Sequence, residues 1–426
     1  MSGRLTNKFH MKFTIDFLKK IRVFSIIYVL VFLILQNGCA RKGFVSESVP
    51  PHLYDFKREL PASTHKRNPV FLVYGDHRPS WSVAEGFLDK RNWSKIRLLL
   101  FPFYLPGLLF NTTFGGTAYL RRLPDVGSKM RKRVLNQIYQ EVSNGGIDFI
   151  AHTGDIVENG TYHTQWEDFL IEAGVEKPVM KLVPYYPAPG NHERPNEAVY
   201  GKYNYDTVFP NSRFYTKKFK DVVLIFLDSG ILFDQNRDFP SFTVQDSLYR
   251  KYLVSEPDSK KASWLEEQLT SAQEKQKIIL IHHPLFSYGK HSRNWDKTWG
   301  LNLIQKRKEI TQLFQKHKVQ LIIAGHEHYY EHNVLKYVSE GKNYNMHVLV
   351  TGGGGTPIRP LVSLSKVNKW LDEDMQEGYE VEMVNRAEEY HYCIISVTEN
   401  GINIEVVKVD DGEIENRIIL DEFLIR

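Results

Sequence analysis

Cysteine is nearly absent from this chain: of 426 residues, only Cys39 and Cys393 carry a thiol. Two thiols build no disulfide framework and leave a structural cysteine–zinc site without its ligands. Cys393 lies in the strand-like run Tyr390–Val397 and reads as a small core residue. Excess charge is also missing once the first residues are set aside. Residues 1–38 hold six of the 55 basic residues and one of the 50 acidic ones, which leaves 49 of each. The net charge of +5 therefore belongs to the N-terminus, and no nucleic-acid partner is expected from it. A nuclease is the weaker alternative for the same reason, because duplex binding relies on neutralising phosphates. There is no internal repeat and no low-complexity tract. The uncharged run Val23–Leu35 is too short for a comfortable membrane span. What remains is ordinary for a folded body, 42% hydrophobic and 25% charged, with length for one large domain or two smaller ones.

Lys19, Lys20 and Arg22 precede that apolar run, and Asn37-Gly38-Cys39-Ala40 follow it. Basic lead, short apolar stretch and small residue before Cys form the pattern of an export signal ending at a lipidatable cysteine. Residues 1–38 are thus expected to direct export, with Met11 as a second possible start. The protein is expected in the cell envelope, held to the membrane by lipid at Cys39. A signal anchor and simple secretion are the alternatives. Residues 39–68 are polar and contain proline, and read as a tether; the folded domain is expected over 69–426.

Within that domain short apolar runs end repeatedly in polar clusters. Val70–Tyr74 leads into G-D-H-R, Ile147–Ala151 into H-T-G-D, Val183–Ala188 into P-G-N-H-E, Ile278–Ile281 into H-H-P and Val319–Ala324 into G-H-E-H. Runs of this length read as buried strands. Helical spacing appears between some of them: Val134, Ile138 and Val142 share one face, as do Ile310, Leu313 and Phe314. Strand, polar loop and helix in repetition predict a mixed α/β fold with its site at the strand C-termini. The C-terminal third is richer in strands, at His347–Thr351, Tyr392–Val397 and Ile402–Val409. About 79–130 reads as an insertion. Residues 90–133 carry ten Lys or Arg against the single Asp125, and residues 96–110 are apolar and aromatic. It reads as cover for the domain's own core or as a second contact with a bilayer.

The strand ends supply Asp76, Asp155, Asn191, His192, His282 or His283, His326 and His328. Carboxylate, amide and imidazole together suit Mn, Fe or Zn. Two such ions a few ångströms apart clamp the attacking and leaving oxygens of a phosphoryl transfer. The clusters G-D-H-R, G-D-I-V-E-N, G-N-H-E, H-H-P and G-H-E-H, in that order, resemble the calcineurin-like metallophosphoesterase superfamily. G-H-E-H-Y-Y-E-H and the run Gly352–Gly355 resemble its purple acid phosphatase-like branch. The resemblance implies two face-to-face mixed β-sheets flanked by helices, a four-layer αββα sandwich. It implies hydrolysis of a phosphate mono- or diester by a dinuclear metal site and its bound water. Carried over, Asp155 bridges the ions, Asp76 and His328 serve the first, and Asn191, His282 and His326 serve the second. His282 is preferred to His283 because the family pattern is H-x-P. His192 becomes the proton donor to the leaving oxygen, with Glu193 orienting it.

Two positions depart from the family. Arg78 stands where many members have a ligand His, and Glu158 where purple acid phosphatases have a Tyr. The first ion is therefore one ligand short, with His77, Glu158 or water left to complete it. Arg78 cannot bind a cation and is expected to hold the substrate phosphate instead. A non-catalytic binding lipoprotein on this scaffold is the alternative to an enzyme. Elsewhere the blander reading prevails: exposed surface for His163, His291 and His317, and a strand-end turn for Asp228. For Tyr330 and His332, substrate contact and packing stand level.

Overall fold

The computed structural model describes residues 50–78, 128–160, 163–193, 201–210, 212–229, 264–272, 274–291, 301–410 and 417–426. Cys39 and residues 96–110 lie outside the described residues. Among the described residues no helix is long and apolar enough to cross a membrane.

In chain order the first half contains β1 (Val70–Tyr74), α1 (Ser128–Ser143), β2 (Phe149–His152), α2 (His163–Ile171), α3 (Val179–Leu182), β3 (Tyr185–Pro187) and α4 (Gly201–Val208). Then come β4 (Phe214–Lys218), β5 (Val222–Leu227), α5 (Trp264–Ser271), β6 (Gln276–Leu280), α6 (Leu301–Lys316), β7 (Leu321–Ala324), β8 (Tyr330–Ser339) and β9 (Lys342–Thr351). The chain closes with α7 (Leu364–Gln376), β10 (Glu380–Ala387), β11 (Tyr390–Thr398), β12 (Gly401–Val409) and β13 (Ile418–Ile425).

These strands form two mixed sheets, in the orders β13-β12-β11-β1-β2-β3 and β10-β8-β9-β7-β6-β5-β4. β1, β2 and β3 run parallel in the first, and β5, β6, β7 and β9 in the second. Parallel neighbours end at one edge, so the loops after β1, β2, β3, β6 and β7 can converge there.

Alternation along β1 assigns its two faces. Phe71 and Val73 join Phe149, Ala151, Leu224, Phe226, Ile278, Leu280, Leu321 and Ile323 in the core between the sheets. Leu72 and Tyr74 point the other way, against Met130, Val134 and Ile138 of α1 and Trp166 and Phe169 of α2. On the outer face of the second sheet, Val223, Ile225 and Ile279 meet Leu265 and Leu269 of α5 and Ile310 and Phe314 of α6. Each such fully buried side chain contributes roughly 1.5–3 kcal/mol of transfer free energy. The result is helix, sheet, sheet, helix: the four-layer sandwich that the resemblance implied. Cys393 is fully buried in the middle layer, and burial pushes its thiol up to about 12.

The tether reading of 39–68 needs correction over its second part. Residues 50–68 lie against the domain. Leu53 and Leu60 are buried in two of its cores, and the Arg58 guanidinium donates to the Val208 carbonyl at 2.8 Å. Proline-bearing polar sequence disguised two well-spaced apolar anchors.

Candidate metal centre

Three of the polar clusters turn out of their strands through the left-handed region. Asp76 has φ of 58°, Asp155 58° and His326 72°, each directly after a glycine. Such conformations cost about 1–3 kcal/mol in non-glycine residues and persist where the surroundings over-determine them. Here they swing two carboxylates and an imidazole into the seam between the sheets. The preceding glycines allow the loops to touch. Gly154 itself has φ of 95°, and a Cβ there would lie 2.6 Å from the Gly190 nitrogen. A Cβ on Gly190 would lie 2.2 Å from Asp155 Oδ1.

All nine residues assigned a role come together. The His326 amide donates to Asp76 Oδ2 at 2.8 Å, and the His192 amide to Asp155 Oδ1 at 3.0 Å. His282 Nε2 lies 3.3 Å from Asp155 Oδ1 and 3.0 Å from Asn191 Oδ1. His326 Nδ1 lies 3.1 Å from that same amide oxygen and 3.3 Å from His282 Nε2. His328 Nε2 is 3.4 Å from Asp76 Oδ1.

This donor set fits a metal ion. His282 Nδ1 faces the Thr153 carbonyl at 2.8 Å and so carries the proton. Its Nε2 lone pair then points at Asn191 Oδ1, which is another acceptor, and a cation is what reconciles two acceptors facing each other. Burial drives His282 down and His326 well down from the usual imidazole range, so both rings are neutral at pH 7, as ligands must be. Asp76 Oδ1 is buried without a hydrogen bond. Burial, and then the neighbouring Asp155 charge, push the Asp76 carboxyl well up. Burial alone would raise Asp155 too, but His282, His192 and Arg78 together hold it well below the carboxylate range. Among the described residues, two groups hold donor atoms mutually within 4.8 Å: Asp76, Asp155 and His282, and His282, His283 and His326. His282 belongs to both. His283 is also close, its ring 4.5 Å from that of His326, with Nδ1 3.0 Å from the Ser229 hydroxyl.

Arg78 departs from its expected role. Its side chain is 2% exposed and turned inward rather than toward substrate. Nε donates to Asp155 Oδ2 at 3.3 Å, Nη1 donates to Glu158 Oε2, and Nη2 lies 3.5 Å from His328 Nε2. The guanidinium thus lies against Asp155 and His328, two of the residues that the resemblance assigns to the first ion. His77 does not complete that position: its Nδ1 bonds the Gly354 carbonyl at 2.8 Å and its Nε2 faces Glu172 at 3.7 Å.

Glu193 is also corrected. Its carboxylate accepts the amides of Asp155, Ile156, Val157 and Gly190 at 2.6–3.1 Å, fastening the second loop to the third. Burial and the Asp155 charge raise it to about 7. His192 is oriented instead by the Glu158 carbonyl, 2.7 Å from Nδ1, which leaves Nε2 3.7 Å from Asp155 Oδ2.

Some participants were not foreseen. The Ser229 hydroxyl accepts the amides of His282 and His283 at 3.2 and 3.0 Å and sets their loop. The only sequence signal for it was the polar pair closing the run Val222–Leu227. His291, expected on the surface, stacks edge-on to His326 at 5.8 Å, and its amide bonds Glu327. His163 is buried too. Asp228 is the structural residue expected, bonded by Arg213 at 3.0 Å. Tyr330 and His332 pack away from the centre, against Asp421 and Phe423.

Residues 125–330 match the calcineurin-like phosphoesterase family. The chain is 26% identical over 273 residues to the probable inactive purple acid phosphatase 24 of Arabidopsis thaliana, covering 55% of this chain and 38% of that one. It is 25% identical over 232 residues to a nucleotide pyrophosphatase/phosphodiesterase of Hordeum vulgare, covering 49% and 57%. The chain thus spans about two fifths of the length of the former. In fold it is similar to the purple acid phosphatase of yellow lupin seeds, with a TM-score of 0.52 at 17% identity, over 85% of this chain and 55% of that one.

Proposed function

We propose, from the premise that the chain belongs to the calcineurin-like metallophosphoesterases and has purple acid phosphatases among its relatives, that it hydrolyses phosphate esters at the seam between its sheets. The observation that carries this is the crowding of donors around His282, whose Nε2 lies 3.0 Å from Asn191 Oδ1, 3.3 Å from Asp155 Oδ1 and 3.3 Å from His326 Nδ1, with His192 Nε2 3.7 Å from Asp155 Oδ2.

Asn191, His282, His326 and Asp155 would hold the ion. When bound, it polarises a phosphoryl oxygen and activates water at neutral pH. The remaining steps fall to the protein. Thr153 and Ser229 fix the His282 ring and backbone. Glu193 fixes the backbone that presents Asp155. His192, its Nδ1 proton committed to the Glu158 carbonyl, would have to take up a second proton at Nε2 before giving it to the departing alkoxide, a form that burial disfavours by lowering the ring to about 4. Arg359 donates its amide to the His328 carbonyl at 3.0 Å and its guanidinium to the His326 carbonyl at 3.4 Å, which brings positive charge against the loop that presents both imidazoles.

The names of the relatives divide between phosphodiesterase and inactive phosphatase, so the test must separate the outcomes. The purified protein, stripped by chelator and reloaded with Mn, Fe or Zn, is assayed on a panel of phosphomonoesters and diesters. Metal-restored turnover on at least one class is expected. Metal binding without turnover on either class favours the second reading, a binding scaffold, which the inward-turned Arg78 supports. Turnover that survives complete metal removal would overturn the proposal.

A further inference from the structure

The two positions at which the chain departs from its family are in contact. Arg78 replaces one expected ligand of the first ion and Glu158 replaces the other, and Arg78 Nη1 donates to Glu158 Oε2. The same guanidinium donates to Asp155 Oδ2 at 3.3 Å and approaches His328 Nε2, the neighbour of Asp76 Oδ1. His328 Nδ1 faces the Pro357 carbonyl at 3.2 Å, so its Nε2 lone pair is turned toward the arginine. Arg78 and Glu158 are both buried, with side chains 2% and 3% exposed. A planar cation with several donors has therefore been built into a nest of carboxylates and imidazole, where it needs no solvent and no cofactor.

We propose that the Arg78 guanidinium permanently takes the place of the first metal ion, and that the centre accepts a single divalent ion at Asp155, Asn191, His282 and His326. Asp155 and Glu158 both accept from the guanidinium, which supplies beside them the positive charge that a first ion would otherwise bring. A second dication would have to displace a buried cation from hydrogen bonds it already makes, which leaves buried charges unpaired. The arginine is closed off from substrate, so its contribution is fixed positive charge and the placement of Asp155 rather than a contact with phosphate.

This inference rests on the metal-dependent reading above, and the experiment distinguishes the two. The full-length protein is stripped, saturated with Mn2+, freed of excess ion, and its metal counted by elemental analysis alongside the electron paramagnetic resonance spectrum. One ion per chain with the spectrum of isolated Mn2+ is expected. Two ions with an exchange-coupled spectrum would overturn the arginine proposal while leaving a metallophosphoesterase. No bound ion at all would overturn the metal-dependent reading beneath it. In Arg78→His, which returns an imidazole to the vacated position, the count is expected to rise from one toward two and the coupled spectrum to appear. If that variant does not fold, the count in the unmodified protein decides the matter alone.

Discussion

His192 keeps 16% of its side chain exposed while its Nδ1 is tied to a backbone carbonyl. A proton carrier so placed matters most when the leaving group is a poor one. His192→Ala is expected to slow hydrolysis of an alkyl phosphate by roughly 10²–10⁴ while barely affecting a nitrophenyl ester, whose leaving group needs no proton. Metal content should be unchanged. Parallel rate measurements on the two esters check this, and equal losses on both would remove the proton-donor role. Single residues also show where sequence reading stops. Asp76, Asp155 and His326 were legible because a glycine and an apolar run precede each. Glu193 was misread because adjacency to His192 suggested contact, whereas its carboxylate turns back to four amides. Arg78 was misread because its partners Asp155, Glu158 and His328 lie 77 to 250 residues away.

At the scale of elements, the helical layer is bolted to the centre through one buried cluster. Arg131 of α1 donates through Nε and Nη2 to Glu172, at 3.0 and 2.6 Å, in the single π turn Glu172–Glu176 that follows α2. His77, next to Asp76, faces the same carboxylate. Burial alone would raise Glu172, yet Arg131 and then His77 hold it well below the carboxylate range. A carboxyl depressed in the folded state stabilises at neutral pH, and that contribution fades as pH falls below the ordinary carboxylate values. Glu172→Gln removes a buried charge that Arg131 pairs with and is expected to cost about 3–5 kcal/mol at pH 7. The difference from the parent should shrink on acidification. Urea unfolding of both proteins across pH checks it; a difference independent of pH would show that the charge is not what matters. Elements were read best where both faces are buried. β1 matches its apolar run residue for residue, and β5 is buried throughout. β10 went unseen because Glu380, Glu382 and Val384 are exposed on alternate positions of an edge strand. Only the second half of β9 was read, since its first half is largely exposed and polar.

For the whole molecule, the αββα order came from resemblance rather than periodicity. No local pattern states that β11, more than 300 residues downstream, returns to pair antiparallel with β1, Leu72 facing Ile394. Nor does it state which strands share a sheet. That division gives the centre a mechanical property. Asp76, Asp155 and Asn191 ride on the first sheet, while His282, His326 and His328 ride on the second. Beside apolar packing, the seam is crossed here by polar links, among them His326 to Asp76, His282 to Thr153, and the Gly354 and Thr356 amides to the Gly75 and Asp76 carbonyls. An ion shared by ligands from both sides would act as a rivet against shear, tightening the sandwich by about 2.7 kcal/mol at a hundredfold excess over its dissociation constant. Removing it with chelator should therefore lower the thermal midpoint and speed amide exchange at the C-terminal ends of β1 and β7 together. β12 and β13, far along the first sheet, should keep their protection. Uniform loosening of all strands would mean that the ion reports on the fold without fastening its halves.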